Sequence, residues 1–462
     1  MDWSLFEGRC LTKHEIEVLL QKHQLNERLE DILSKLDQRP GITKETLIQC
    51  QRCHNQIKEG EDQQTSFGRI SFNNQRNYYC LNCIQLGRIS EATTLYSYPY
   101  QKRPETKEKL LTWSGQLSNE QQRASTDLVN SLSDSRPHLI QAVTGAGKTE
   151  MIFEVIHQVL QKGGRVAVAT PRMDVCNELA PRLQEAFKSV PLILLHGQTE
   201  EVYRYTPLVV ATTHQLWRFK EAFDLIIVDE VDGFPYAGDP TLHAGVEHAK
   251  KQDGKVIYLT ATPDDYLNEE IKHERLTHTV LPARYHRFSL PEPKCFWAGN
   301  WRETIKKRRR WSPLYRKMNQ FKQLTGPKLL FIANIALAEE LYQWLSKVWP
   351  ELRIACVHSK DLNRQEKVQQ LRDSELDLLI TTTILERGVT FTNCQVCIIG
   401  AEHPLFTEAS LVQMSGRAGR RPYFPAGEVW FLHFGYSKAM RRACRQIKEM
   451  NQLARKGGLI DE

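Results

Sequence analysis

The stretch His138-Leu139-Ile140-Gln141-Ala142-Val143-Thr144-Gly145-Ala146-Gly147-Lys148-Thr149 decides the fold. An apolar run leads into it, and a helical pattern, Glu150-Met151-Ile152-Phe153-Glu154-Val155-Ile156, leads out. A strand, a glycine loop and a helix in that order set backbone N–H groups around phosphate oxygens at a helix N-terminus. Glycine lets the backbone approach closely. In such a loop Thr144, Gly145, Ala146 and Gly147 form the cradle. Lys148 neutralises the β and γ oxygens of ATP, and the Thr149 hydroxyl binds Mg²⁺. Five residues separate Ala142 from Lys148, so an alanine stands where the usual pattern has its first glycine. The competing explanation is a chance Gly-Lys-Thr in a structural loop. The strand and helix on either side count against it.

Downstream, Asp224-Leu225-Ile226-Ile227-Val228 runs into Asp229-Glu230-Val231-Asp232. A strand end puts carboxylates at the carboxyl edge of the sheet, where open α/β folds bind ligands. Asp229 is placed to hold Mg²⁺, usually through water. Glu230 is placed to orient and deprotonate an attacking water. A solvated acidic turn is the bland alternative, and the phosphate loop upstream weighs against it.

Outward from these two motifs, short apolar runs keep alternating with helical stretches. Val166-Ala167-Val168-Ala169 and Val256-Ile257-Tyr258-Leu259 continue the first series. Lys328-Leu329-Leu330-Phe331-Ile332, Leu378-Leu379-Ile380 and Val396-Cys397-Ile398-Ile399 form a second. Buried runs between helices indicate parallel sheets wrapped on both faces. The expected division is a polar helical segment at 1–45, a cysteine module at 46–100, an α/β domain at 101–290, a basic linker at 291–326 and a second α/β domain at 327–462. Within the module, Tyr96-Ser97-Tyr98-Pro99-Tyr100 reads as a linker.

Length and composition agree with this. The 462 residues suggest about three domains at roughly 150 residues each. Apolar residues make up 41% and charged residues 25%, which excludes a disordered or fibrous chain. Apolar runs fall far short of the ~20 residues of a membrane span. The opening Met1-Asp2-Trp3-Ser4-Leu5-Phe6-Glu7 has no apolar signal core, which argues for a cytoplasmic protein. The formal charge of +7 is mild and merely permits a polyanionic partner.

Eleven cysteines, an odd number without an export signal, argue against a disulfide framework. Cys50-Gln51-Arg52-Cys53 and Cys80-Leu81-Asn82-Cys83 are two C-x₂-C knuckles with 26 residues between them. Paired thiolates at this spacing close a tetrahedral Zn²⁺ site, with iron as the main rival ion. His54 is a bystander beside the first knuckle. A third pair, Cys394-Gln395-Val396-Cys397, overlaps an apolar run and reads as core.

In their order along residues 110–430 the motifs resemble those of superfamily 2 helicases. Leu117-Ser118-Asn119-Glu120-Gln121 resembles the upstream element in which Gln121 reads adenine. Ala169-Thr170-Pro171-Arg172 and Ala211-Thr212-Thr213-His214 resemble the strand-contacting motifs of the first domain. Thr260-Ala261-Thr262-Pro263 resembles the motif that couples hydrolysis to domain movement. Phe331-Ile332-Ala333-Asn334 and Thr382-Thr383-Ile384-Leu385-Glu386-Arg387-Gly388 resemble elements of the second domain. Gln413-Met414-Ser415-Gly416-Arg417-Ala418-Gly419-Arg420 is the most specific of the set.

The resemblance implies two RecA-like parallel-sheet domains that bind ATP and Mg²⁺. Pro171, Arg172, Thr212, Thr213, Thr382 and Thr383 would touch nucleic acid. Gly388 and Gln413 would contact the nucleotide. Two arginines three apart, at the expected start of a helix, project from one face. Arg420 is the preferred finger on the γ-phosphate, and Arg417 the second phosphate contact. Asp232 ends the acidic motif, where a histidine would favour RNA helicases. Gln413 suits both replication-restart DNA translocases and viral-type RNA helicases.

A four-cysteine module ahead of a compact helicase core narrows the resemblance to the ComFA family of DNA-uptake ATPases. That implies a motor on single-stranded DNA at the cytoplasmic face of the membrane. Its partners would be a membrane uptake channel and other competence proteins, with oligomerisation left open. The alternatives are a replication-restart or RNA helicase and a nucleotide-gated zinc scaffold that does not translocate. Finally, Trp297, Trp301, Trp311 and Tyr315 interleave with Arg302, Lys306, Lys307, Arg308, Arg309 and Arg310. Bases stack on aromatic faces while cations follow phosphates. A solvated basic segment whose rings pack on a domain explains the same pattern. Arg441, Arg442, Arg445 and Lys448 read as one solvated helix face.

Overall fold

The computed structural model describes residues 2–58, 66–72, 75–386, 391, 394–419 and 427–461. The chain divides into two compact units, Met1–Ile140 with Thr149–Thr279, and Gln141–Lys148 with Val280–Glu462.

A seven-stranded sheet organises the first unit. Its spatial order is Leu192–Leu195, Leu208–Thr212, Val166–Thr170, Phe223–Asp229, Lys250–Thr260, His138–Ala142 and Thr277–Leu281. Val166–Thr170 runs parallel to Leu208–Thr212 on one side and to Phe223–Asp229 on the other. Every residue of Val166–Thr170 and Leu208–Thr212 is buried, as expected of strands covered on both faces. Helix Met173–Ala186 buries Val175, Leu179 and Leu183 at the spacing of a single face.

The N-terminal residues depart from the expected helical segment. Helices Lys13–Lys22 and Leu29–Leu33 are present. So are strands Cys10–Thr12 and Asp37–Pro40, which flank Thr94–Ser97 in an antiparallel sheet. The expected linker thus begins as a central strand. Its Leu95 and Ser97 point inward while Thr94 and Tyr96 are half-buried, a period-two pattern that is only four residues long.

The cysteine module is equally integrated. Cys50, Phe67, Ile89 and Leu95 belong to the same hydrophobic core as Ala167, Val209 and Ile226 of the large sheet. Glu15 receives hydrogen bonds from the fully buried Arg52 (2.6 Å) and from Arg218 (2.8 Å), so one carboxylate joins the N-terminal helix, a cysteine knuckle and the short helix Thr213–Arg218 that follows a strand of the large sheet. Burial alone would raise the Glu15 pKa, but Arg52 and Arg218 hold it down to about 2.

The second unit carries an all-parallel sheet of six strands, in the order Lys294–Trp297, Val429–His433, Gln395–Ile399, Lys328–Ile332, Leu378–Thr381 and Ile354–Val357. The expected linker at 291–326 is therefore part of this domain. It supplies an edge strand and helices Trp301–Lys306 and Pro313–Lys322. Trp301 is buried and donates to Glu402 (2.8 Å), and Tyr315 stacks on Trp344. Two of the four aromatics offered for base stacking thus belong to the core. The low hydrophobicity of the basic run hid them. Cys394 and Cys397 are buried, as a core pair should be. Arg441, Arg442, Arg445 and Lys448 form the expected exposed face of helix Lys438–Lys456.

Candidate nucleotide site and metal centre

The phosphate loop follows the strand His138–Ala142 and ends in the helix Lys148–Met151. Gly145 and Gly147 take φ of +84° and +76°. These values lie in the left-handed region, where a side chain would be strained. Ala142, at the departing position, is a buried strand residue and needs no such freedom. Thr149 is buried and Lys148 half-buried.

The acidic motif sits where the sequence puts it. Asp229 is the last residue of its strand, and its Oδ1 accepts from the Glu230 N–H (2.8 Å). Glu230 holds φ of +55°. For a residue with a Cβ this costs about 1–2 kcal/mol. Strain of this kind concentrates at functional positions.

The arginine motif closes helix Glu408–Ser415 and does not open one, so Arg417 follows a helix end where the sequence pattern suggested a start. Gln413 is buried within that helix. Arg417 is buried too, and its Nε and Nη2 donate to the Glu386 carbonyl at 3.2 and 2.7 Å. Cys394 Sγ in turn donates to the Arg417 carbonyl (3.0 Å). Arg420 and Gly388 lie outside the described residues.

Within the second unit the motif meets the phosphate loop. A Cβ added at Gly416 would fall 1.8 Å from Thr144 Oγ1. The glycine is required there for space, since its own φ of −64° suits any residue. Arg284 makes a second link that sequence reasoning missed. It is fully buried, and its Nη1 donates to the carbonyls of Ala418 (3.1 Å) and Gly419. Nη2 donates to Gly416 (3.3 Å). These carbonyls lie just past a helix C-terminus, where orphan acceptors attract cations. A Cβ at Gly145 would lie 3.7 Å from the Arg284 side chain. Burial brings the Arg284 pKa down to about 10. A single arginine after a strand carries no motif signal, so only the fold identifies it.

Gln121 has a structural task as well. Ser118 Oγ accepts from the Gln121 N–H, and Gln121 Oε1 accepts from the Ser118 N–H (2.9 Å). This is a reciprocal cap on helix Asn119–Asn130. The Ser-x-x-Gln spacing was readable in sequence.

The expected strand contacts all follow carboxyl ends of parallel strands. Thr170, Thr212 and Thr381 are the last residues of theirs. Pro171 and Arg172 come next, with Arg172 paired to Asp174. Thr212, Thr213 and Thr382 are buried and Thr383 is half-buried, so much of any contact there would fall to the backbone.

The metal centre is the more compact of the two sites. Cys50, Cys53, Cys80 and Cys83 are fully buried, with all four sulfurs within 4.8 Å of one another. Cys50 and Cys83 are 3.8 Å apart, and Cys53 and Cys80 are 3.4 Å apart. Tetrahedral Zn²⁺ with sulfur at 2.3 Å places its donors about 3.8 Å apart, so the set fits. Hydrogen bonds among the sulfurs drive the Cys50 and Cys80 thiols down and the Cys53 and Cys83 thiols up. His54 is outside this cluster, its ring 4.5 Å from that of His248. The long gap between knuckles contains the hairpin Phe67–Phe72 with Gln75–Cys80. Among the described residues no helix is long and apolar enough to cross a membrane.

Comparison with known proteins places these features. Residues 3–97 match the competence protein ComFA N-terminal domain, 114–265 the type III restriction enzyme res subunit, and 314–422 the helicase conserved C-terminal domain. The competence protein ComFA of Bacillus subtilis is 43% identical over 88% of this chain and 86% of its own length. That of Streptococcus pneumoniae is 40% identical over 97% of this chain and 98% of its own. Among solved structures, S. cerevisiae Dbp5 bound to RNA and ADP BeF3 superposes with a TM-score of 0.52 at 16% identity, covering 72% of this chain and 87% of that one. Mycobacterium smegmatis Lhr bound to ssDNA and AMP-PNP superposes with 0.53 at 18%, covering 71% and 48%. The structural likenesses show the shared fold alone, parallel-sheet domains of the same architecture.

Proposed function

The chain belongs to the ComFA family of competence proteins and is a helicase-type ATPase; on that premise we propose that it translocates single-stranded DNA and helps draw transforming DNA into the cell. The observation that carries this reading is the contact of Thr144 in the phosphate loop with Gly416 in the arginine motif. A loop that binds phosphate and a motif that stabilises transition-state charge belong to one site only if they come together.

In that site the loop N–H groups and Lys148 bind the β and γ oxygens. Thr149 and Asp229 would hold Mg²⁺, an ion that supplies positive charge against the phosphates when bound. Glu230 orients the attacking water and takes its proton. Arg420 stabilises charge on the γ-phosphoryl group with Arg417 beside it, while Gln413 and Gly388 contact the nucleotide. Gln121 reads adenine. Pro171, Arg172, Thr212, Thr213, Thr382 and Thr383 grip the strand. Loss of the γ-phosphate alters that grip, which is gating by differential binding. The four cysteines hold Zn²⁺ as a structural ion. Attachment at the inner face of the membrane comes through a partner such as the uptake channel.

ATP turnover measured with single-stranded DNA, forked DNA and RNA tests the proposal, with Lys148→Ala as control. Strongest stimulation by single-stranded DNA, lost in Lys148→Ala, supports it. Preference for a fork or for RNA moves the protein to another helicase task. Turnover near zero with all three favours a nucleotide-gated scaffold.

A further inference from the structure

The turn after helix Trp301–Lys306 combines features that the motor site does not use. Trp311 is 100% exposed and Trp297 58% exposed. Neither ring stacks on another among the described residues. The two rings flank one turn: a Cβ placed at Gly299 would lie 3.6 Å from the Trp297 ring and 3.8 Å from Pro313, two residues beyond Trp311 in the chain. Lys306 through Arg310 are all exposed. Lys307 and Arg309 share Glu303. Lys306, Arg308 and Arg310 have no carboxylate partner among the described residues.

The helix end itself is unusual. Arg309 N–H donates to the Thr304 carbonyl (3.1 Å) and Arg308 N–H to Ile305 (3.1 Å). This pair of bonds defines a C-terminal cap whose left-handed position favours glycine. Arg308 occupies it at φ +49°. The helix dipole accounts for cations in the last turn. It does not account for an arginine at a position where glycine is less strained, nor for a fully exposed tryptophan three residues on.

We propose that Trp297 and Trp311, with Lys306, Arg308 and Arg310, form a stacking platform for single-stranded nucleic acid on the edge of the second helicase sheet, outside the helicase motifs. The inference rests on the reading of the protein as a nucleic-acid motor and names a further contact of that motor. Flat apolar rings beside unpaired cations match a flexible polyanion with π faces. Trp297 ends the edge strand, four strands from Leu378–Thr381. At strand spacing that separation is about 19 Å. Both strands are parallel members of one sheet, so their carboxyl ends share an edge. A nucleic-acid strand lying along that edge reaches both Thr383 and Trp297.

The test is binding of a fluorescein-labelled oligothymidylate to the full chain, followed by anisotropy. The double variant Trp297→Ala, Trp311→Ala should bind about tenfold more weakly, in line with the loss of base stacking. Trp311→Tyr alone should retain most of the affinity. Arg308→Gly provides a readout that separates binding from folding. Relief of the strained cap should leave its melting temperature equal or higher, while the slope of log affinity against log salt falls by about 0.7. Parent-like affinity in the double variant, with the parent binding well, would overturn this inference alone and leave the patch to a protein partner. A parent that binds no single strand would overturn the motor reading as well.

Discussion

The metal centre and the nucleotide site follow opposite rules of construction. Four sulfurs converge, all buried and all within 4.8 Å of one another. The residues proposed for nucleotide chemistry are instead a half-buried lysine, a strained glutamate and an arginine held by the Glu386 carbonyl. Groups that only have to hold an ion can be fixed once. Groups that must bind, react and release need second partners to return to. Arg417 with Glu386 and Gln121 with Ser118 have such partners.

The largest effects should come from breaking the reactive side. Arg417→Ala should lower ATP turnover by about 10³-fold or more, the scale of a lost phosphate-stabilising arginine. Glu230→Gln should lower kcat by about 10²–10⁴-fold and leave nucleotide binding in place. Steady-state turnover paired with equilibrium binding of a fluorescent ATP analogue checks both. An equal loss of binding and turnover in Glu230→Gln would remove its role as base.

On the metal side the loss should be one of folding. Elemental analysis should find about one Zn²⁺ per chain, and Cys80→Ser should lose it. Because the cysteines share a core with the helicase sheet, chelation should lower the melting temperature of the whole first unit. Melting confined to residues around the knuckles would show that the module is separable.

Glu15 sharpens the contrast, because its ion pairs tie the first cysteine knuckle to the rest of the first unit. Glu15→Gln leaves Arg52 buried without its counter-charge, at a cost of about 3–5 kcal/mol in chemical denaturation. Its pKa falls from an ordinary 4.5 to about 2 on folding. A depressed carboxylate contributes stability above its unfolded pKa and loses it as pH falls through the folded value. The parent should therefore lose stability between about pH 4.5 and pH 2 by a component absent from Glu15→Gln. The smallest effect concerns space alone. Gly416→Ala pushes on Thr144 and should slow turnover by about tenfold, a barrier change near 1.4 kcal/mol. Thr144→Gly in the same chain should restore part of it.

Much of this was legible in residues whose spacing carries geometry. The glycine loop, the acidic strand end and the two cysteine knuckles each fix a local shape, and local shape survives in sequence. What escaped depends on long-range contact. Arg284 meets carbonyls more than a hundred residues away, and nothing near it announces them. Leu95 and Ser97 lie in a strand too short to show its period. Trp301 and Tyr315 sit among lysines and arginines whose charge masks two core positions.

A motor of this kind requires coupling between nucleotide state and grip on a strand. Affinity for an oligothymidylate, measured in saturating non-hydrolysable ATP analogue and again in ADP, reports it directly. Differential binding requires the two affinities to differ, by about 5–150-fold for a typical coupling. Equal affinities in the two states would contradict the motor, however fast the protein hydrolyses ATP.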